Sequence, residues 1–179
     1  MPALDELLAR LQQAEQGAGP PLGQWHPPLS GDIDIRIAVD GSWFHDGEPI
    51  RRERLVQLFA SVLRREGDDY MLVTPVEKWR IRVDDTPFVA VTVDQVQRDQ
   101  HSYLLFRTNV GDEVIANSAH AIEVGERNGE PYPLLHVRDG LMARIGRNAF
   151  YQLVALARED GAGRLLVDSD DKTFTLGSI

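Results

Sequence analysis

Cations and apolar side chains alternate in the middle of the chain, and this alternation predicts a β-strand. Lys78, Arg80 and Arg82 fall on one side of that strand, and the apolar residues between them fall on the other. Residues 84–87 predict a turn, because proline and short polar side chains favour one. Residues 88–93 are almost wholly apolar, so they predict a strand that is buried on both faces.

Apolar spacing also predicts the remaining elements. Leucines and other apolar residues at helical spacing predict helices at residues 3–14, 52–65 and 147–157. A glycine- and proline-rich linker at residues 17–28 ends the first helix. Alternating stretches bounded by turn residues predict strands at residues 32–39, 42–45, 70–73, 102–108, 113–116, 122–124, 134–137, 165–167 and 173–176.

The order of these elements repeats along the chain. In each half an Asp-Gly turn is followed by a helix and then by two further strands, which indicates a duplicated unit. We therefore predict an α+β protein of two small domains, each built from a hairpin–helix–hairpin motif with mostly antiparallel sheets. The predicted divisions are residues 1–28 for the N-terminal helix and linker, 29–88 for the first domain and 89–179 for the second. A cleft between such copies is a favoured ligand site.

Composition and charge narrow the class of protein. The chain has 179 residues, of which 42% are hydrophobic, and this is typical of a globular protein. A net charge of -9 argues against binding to a nucleic-acid polymer. The absence of cysteine excludes disulfides and thiol nucleophiles. No apolar run is long enough for a membrane span, and the N-terminus lacks a secretory signal pattern, so we expect a cytoplasmic location.

Catalytic signatures are absent from the sequence. It contains no P-loop, GxSxG, HExxH or GxGxxG pattern, and its five histidines share no spacing. No cofactor or metal is predicted. Asp32 and Asp34 share one face of a predicted strand, where they could act as acid and base or hold a divalent cation. Pairing with the cations of the central strand is the structural alternative, and it is the interpretation that we favour.

The cations themselves are the sharper candidate for binding. Arginine forks suit phosphate or carboxylate, tryptophan rings can stack on a flat ligand, and a carboxylate can accept hydrogen bonds from a sugar or a base. The candidate ligand-binding residues are Asp34, Arg36, Trp43, Lys78, Trp79, Arg80, Arg82, Arg107 and Asn109. Two structural alternatives remain open: the cations form a salt-bridged sheet face, and Asn109 caps a turn.

Three long segments resemble a known family. GDIDIRIAVDGSWFHDGEPI (residues 31–50), LVTPVEKWRIRVDDTPFVAV (residues 72–91) and FRTNVGDEV (residues 106–114) are similar to an uncharacterised bacterial family, domain of unknown function 1285. The resemblance implies two domains with a duplicated α+β motif, the second superficially pleckstrin-homology-like. It implies no established activity, but a nucleotide-like ligand at the domain interface and a role in signal transduction.

Three functions are therefore expected in turn. The first is a non-enzymatic ligand-binding or regulatory protein that captures a small anionic, nucleotide-like ligand. The second is a protein–protein interaction module whose second half presents strands or a groove to a partner peptide. The third is a metal-dependent phosphoester hydrolase that uses Asp32 and Asp34.

Overall fold

The computed structural model describes residues 5, 7–9 and 20–179, and the chain divides into two compact units, Met1–Asp85 and Thr86–Ile179. Most of the predicted helix at residues 3–14 lies outside the described residues. The described residues 5 and 7–9 are helical, and Leu7 is fully buried.

The division of the chain falls after Asp85, whereas the sequence-based boundary falls after residue 88. Thr86 explains the difference, because its hydroxyl connects backbone groups of the second unit. Thr86 Oγ1 donates to Phe88 O at 2.7 Å and accepts from Arg144 N at 3.2 Å.

The first unit is a six-stranded sheet with one α-helix within residues 20–85. Helix α1 spans Glu53–Ser61, and a short 3₁₀ turn spans Leu22–Gln24. The strands are β1 (Leu29–Ile37), β2 (Trp43–His45), β3 (Glu48–Pro49), β4 (Leu63–Glu66), β5 (Asp69–Val73) and β6 (Lys78–Val83). Their order is β3-β2-β1-β6-β5-β4. All neighbours are antiparallel except β1 and β6, which are parallel.

The core of this unit follows the alternation of β1. Ile33, Ile35 and Ile37 are buried, as the period of two predicts. On the helix, Phe59 is fully buried and its ring stacks on that of Trp43, with 6.1 Å between centroids. The helix is therefore held on the unit by an aromatic pair as well as by aliphatic contacts.

Helix α1 is shorter than the predicted helix at residues 52–65. It ends at Ser61, and Leu63 begins β4, where it is fully buried opposite Leu72 of β5. Gly67, with φ +61°, turns the chain between these strands. The apolar residues at 62 and 63 fit a helix face and a strand equally well, and pairing with β5 decides between the two.

The second unit contains two sheets and one helix. Its strands are β7 (Phe88–Arg98), β8 (His101–Thr108), β9 (Glu113–Ile115), β10 (Ile122–Arg127), β11 (Glu130–Arg138), β12 (Leu141–Ile145), β13 (Arg158–Glu159), β14 (Arg164–Ser169) and β15 (Lys172–Ser178). Helix α2 spans Arg147–Ala155 and packs on β7. The sheet orders are β10-β11-β12-β7-β8-β9 and β13-β14-β15, and only β12 and β7 are parallel neighbours.

The two units share an order of elements but differ in how their last strands pair. In the first unit the strands after the helix join the main sheet, whereas in the second they form the separate three-stranded sheet. Helix α2 also ends before the predicted residue 157, because Arg158–Glu159 pairs with β14. The prediction of two small, sheet-rich α+β domains with mostly antiparallel strands is confirmed, while the likeness to pleckstrin-homology folds stays a prediction.

Candidate functional site

Charged side chains of β1 and β6 pair along one face of the first sheet. The parallel register places Asp32 opposite Arg80 and Arg36 opposite Arg82. Arg80 Nη1 donates to Asp32 Oδ1 at 3.1 Å, and Arg82 Nη2 donates to Asp34 Oδ1 at 3.0 Å. We call the set of Asp32, Asp34, Arg36, Arg80, Arg82 and Asp84 the charged ladder.

The ion pairs continue across the sheet toward β4. Arg80 Nε lies 3.4 Å from Asp69 Oδ2, and Lys78 Nζ lies 2.9 Å from Glu66 Oε2. Arg64 also approaches Glu66, at 3.4 Å, and donates to the backbone carbonyls of Leu22 and Trp25. The Lys78 side chain is only 16% exposed, so this end of the face is a structural network.

The paired charges on this face balance. Five cations meet five carboxylates, so the set as a whole is neutral in a chain of net charge -9. The row of cations predicted from the sequence therefore has the carboxylate partners that the salt-bridged interpretation requires. An anionic ligand would have to compete with these carboxylates.

Arg36 and Arg82 form the open end of the ladder. Arg36 is paired with Asp84, and its guanidinium lies 4.7 Å from the centroid of the Phe44 ring. The side chains of Arg36 and Arg82 are 33% and 68% exposed. An open depression of about 470 Å³ lies beside them and is lined by Asp32, Ile33, Asp34, Arg80, Ile81 and Arg82. Two guanidinium groups from adjacent strands thus flank a solvent-accessible space.

The two tryptophans of the predicted site lie away from the ladder. Trp43 is 2% exposed and packs on Phe59 in the core, so stacking on a ligand would require the core to open. Trp79 is half-buried and alternates with the cations of β6, which places it on the opposite face of the sheet. Neither ring is beside the depression.

Arg107 and Asn109 belong to the second unit. Arg107 donates to Glu113 Oε1 at 3.0 Å and to Asp94 Oδ2 at 3.1 Å, and the hydrogen bond to Glu113 raises the pKa of Arg107. Asn109 Oδ1 accepts from Val89 N at 3.0 Å, while Asn109 N donates to Val89 O. These contacts give Asn109 the backbone-bonding role that the structural alternative predicts.

The arrangement offers no metal site in the part of the chain that the structure describes. No group of three or more histidine, aspartate or glutamate residues there could hold an ion. Asp32 and Asp34, the carboxylates of the hydrolase interpretation, each accept a hydrogen bond from an arginine. Among the helices of the described residues, none has the length and apolarity that a membrane crossing needs.

Breaking one exposed ion pair of the ladder is expected to cost little stability. Asp34→Asn and Arg82→Ala should each lower the free energy of unfolding by less than about 1 kcal/mol, because the pair lies in high-dielectric surroundings. The loss should shrink further when salt is added. Urea unfolding at low and high salt measures both effects, with Asp68→Asn, an exposed acid of the same unit, as the control. A loss above about 2 kcal/mol would mean that the ladder behaves as a buried network.

The fold and the ladder define a two-domain α+β protein with a neutral, ion-paired sheet face. The chain belongs to the DUF1285 family: the family's N-terminal domain, described as a domain of unknown function, matches residues 20–86, and its C-terminal domain, described as part of a protein of unknown function, matches residues 87–176.

Two solved structures of this family are similar to the chain. A DUF1285 family protein from Silicibacter pomeroyi DSS-3 is 43% identical, with a TM-score of 0.86 over 97% of this chain and 95% of that one. A DUF1285 family protein from Shewanella baltica OS155 is 29% identical, with a TM-score of 0.55 over 68% of this chain and 90% of that one. No curated protein matches the chain. Neither the family descriptions nor the two structures name a ligand, a partner or a reaction.

Proposed function

We propose that this chain is a non-enzymatic binding protein with a regulatory role, and that its first unit recognises a small, multiply charged anion of nucleotide type. The observation that carries the proposal is the register of β1 on β6, which sets Arg36 opposite Arg82 beside an open depression. The proposed ligand-binding residues are Asp34, Arg36, Arg80 and Arg82. The location at the domain interface that the family resemblance implies stays a prediction.

Binding would proceed by exchange of partners. Each exposed ion pair is worth only about 0–1 kcal/mol, so releasing Asp34 from Arg82 costs little. A charge-assisted hydrogen bond from arginine to a phosphate oxygen is worth about 1.5–3 kcal/mol. The balance therefore favours phosphate over the resident carboxylate. The released carboxylate of Asp34 is then placed to accept a hydrogen bond from a ribose hydroxyl.

A thermal-shift screen against nucleotides, cyclic nucleotides and phosphorylated metabolites tests the proposal. A ligand at 100 times its dissociation constant stabilises by about 2.7 kcal/mol, which raises the midpoint by several degrees at about 2–4 °C per kcal/mol. We expect such a shift in the natural protein and its loss in the double variant Arg36→Gln/Arg82→Gln.

Arg54→Gln is the matched control, because Arg54 is an exposed arginine of the same unit on helix α1. It removes one positive charge without touching the ladder, so the shift should persist. A shift that survives the double variant would remove the ladder as the site. A flat screen would remove the proposal and leave the protein-interaction alternative.

A further inference from the structure

An open depression of about 420 Å³ in the second unit lies apart from the charged ladder. It is lined by Asp112 and β9 on one side, and by Asn117, His120, Val137 and Arg138 on the other. Three strands separate β9 from β11 in the sheet order. Their side chains share one depression because the sheet curves round to bring them together, which gives the space walls of two different chemical kinds.

Asn117 presents a fixed amide to this space. Its Oδ1 accepts from Ala119 N and from His120 N, both at 2.9 Å. Two bonds to the same oxygen fix the plane of the amide and direct its NH₂ group away from the turn. Asn117 therefore supplies oriented hydrogen-bond donors at the depression.

Arg138 supplies a partly desolvated cation. The residue is half-buried, and its guanidinium lies 5.7 Å from the centroid of the Phe88 ring. This burial lowers the pKa of Arg138, and Asp112 and Asp139 oppose the shift. A cation that has already lost part of its hydration gains more from a bound carboxylate than a solvated arginine does.

Carboxylates line the other side of the depression. Glu113 is engaged by Arg107 at 3.0 Å, whereas Asp112 faces the same space as Arg138 and Asn117. The negative charges at 112 and 113 disfavour a polyanion such as a nucleoside triphosphate. A ligand that fits must carry one negative group for the cationic wall and one positive group for the acidic wall.

We propose that this depression binds a free α-amino acid, with its carboxylate on Arg138 and Asn117 and its ammonium group on Asp112. The volume lies within the range of small-molecule sites and exceeds the needs of the backbone part of such a ligand, which leaves room for its side chain beside Val114, Ile115 and Val137. The site uses no residue of the first unit, so it is independent of the nucleotide proposal.

Titration of the ¹⁵N-labelled full-length protein with L-alanine tests the site. We expect saturable shifts of the amide signals of Asn117, His120 and Arg138, with a dissociation constant on the order of 1 mM for so small a ligand. Alaninamide, which lacks the carboxylate, and acetate, which lacks the ammonium group, should each bind at least about tenfold more weakly. Inorganic phosphate should leave these signals in place.

Asn117→Asp is the sharpest variant, because it keeps the oxygen that closes the turn and replaces the amide donors with a negative charge. It should weaken L-alanine binding at least about tenfold. Arg138→Gln should do the same, with a dispersed amide spectrum showing that the variant is folded. Arg127→Gln, on β10 and away from the depression, should bind as the natural protein does.

Three results would overturn the proposal. One is the absence of saturable shifts with L-alanine. The second is equal binding of alaninamide or phosphate, since the carboxylate and ammonium groups would then not be the features recognised. The third is unchanged L-alanine binding in Asn117→Asp.

Discussion

Replacing Phe59 with alanine is expected to destabilise the first unit by about 3–5 kcal/mol. Phe59 is fully buried and stacks on Trp43 with ring planes 16° apart, so its removal leaves a cavity between α1 and the sheet. Urea unfolding followed by tryptophan fluorescence measures the loss. All three tryptophans, Trp25, Trp43 and Trp79, lie in the first unit, and the signal therefore reports on that unit alone.

Phe59→Leu is the control for this prediction. Leucine keeps most of the apolar volume and loses the ring stacking, so its cost should stay below about 1.5 kcal/mol. If Phe59→Ala also costs less than about 1 kcal/mol, the aromatic pair is not the contact that holds α1 on the sheet.

Ser169→Ala is expected to destabilise the second unit by about 2–3 kcal/mol, although it removes a single oxygen atom. Ser169 is 1% exposed, and its Oγ accepts from Leu104 N at 2.8 Å and donates to Ala116 O at 2.7 Å. These bonds tie the end of β14 to β8 and to the segment after β9. Alanine would leave a buried N–H and a buried carbonyl without this partner.

Circular dichroism in urea and hydrogen exchange of the Leu104 amide measure this effect. The amide should exchange faster in Ser169→Ala, because its acceptor is gone. Ser178→Ala, at an exposed position of β15, is the matched control and should change little. Unchanged protection of Leu104 in Ser169→Ala would show that this hydrogen bond does not join the two sheets.

Local pattern predicted the strands well where one face is buried and the other exposed. Ile33, Ile35 and Ile37 alternate with polar residues in β1, and burial follows that alternation. The ends of the helices could not be predicted in this way. Residues 63–66 and 158–159 follow a helix directly, and only pairing with β5 and β14 makes them strands.

The same limit applies to the candidate site. Asp32 and Asp34 were expected to meet the cations of β6, because alternate residues of a strand share a face. Their individual partners depend on the parallel register between strands 48 residues apart. Glu66, the partner of Lys78, was hidden beyond the end of the predicted helix at 52–65. No local pattern separates an open pair such as Arg82–Asp34 from a half-buried one.

Calorimetric titration tests the central claim most directly, with the nucleotide that raises the thermal midpoint most in the screen as the probe. We expect a single site in the natural protein, an affinity that falls as salt is added, and unchanged affinity in Arg54→Gln. In Arg36→Gln/Arg82→Gln we expect binding at least about 100-fold weaker, because two charge-assisted contacts worth about 1.5–3 kcal/mol each are removed. Equal affinity in the double variant, or no nucleotide that binds the natural protein, would contradict the account.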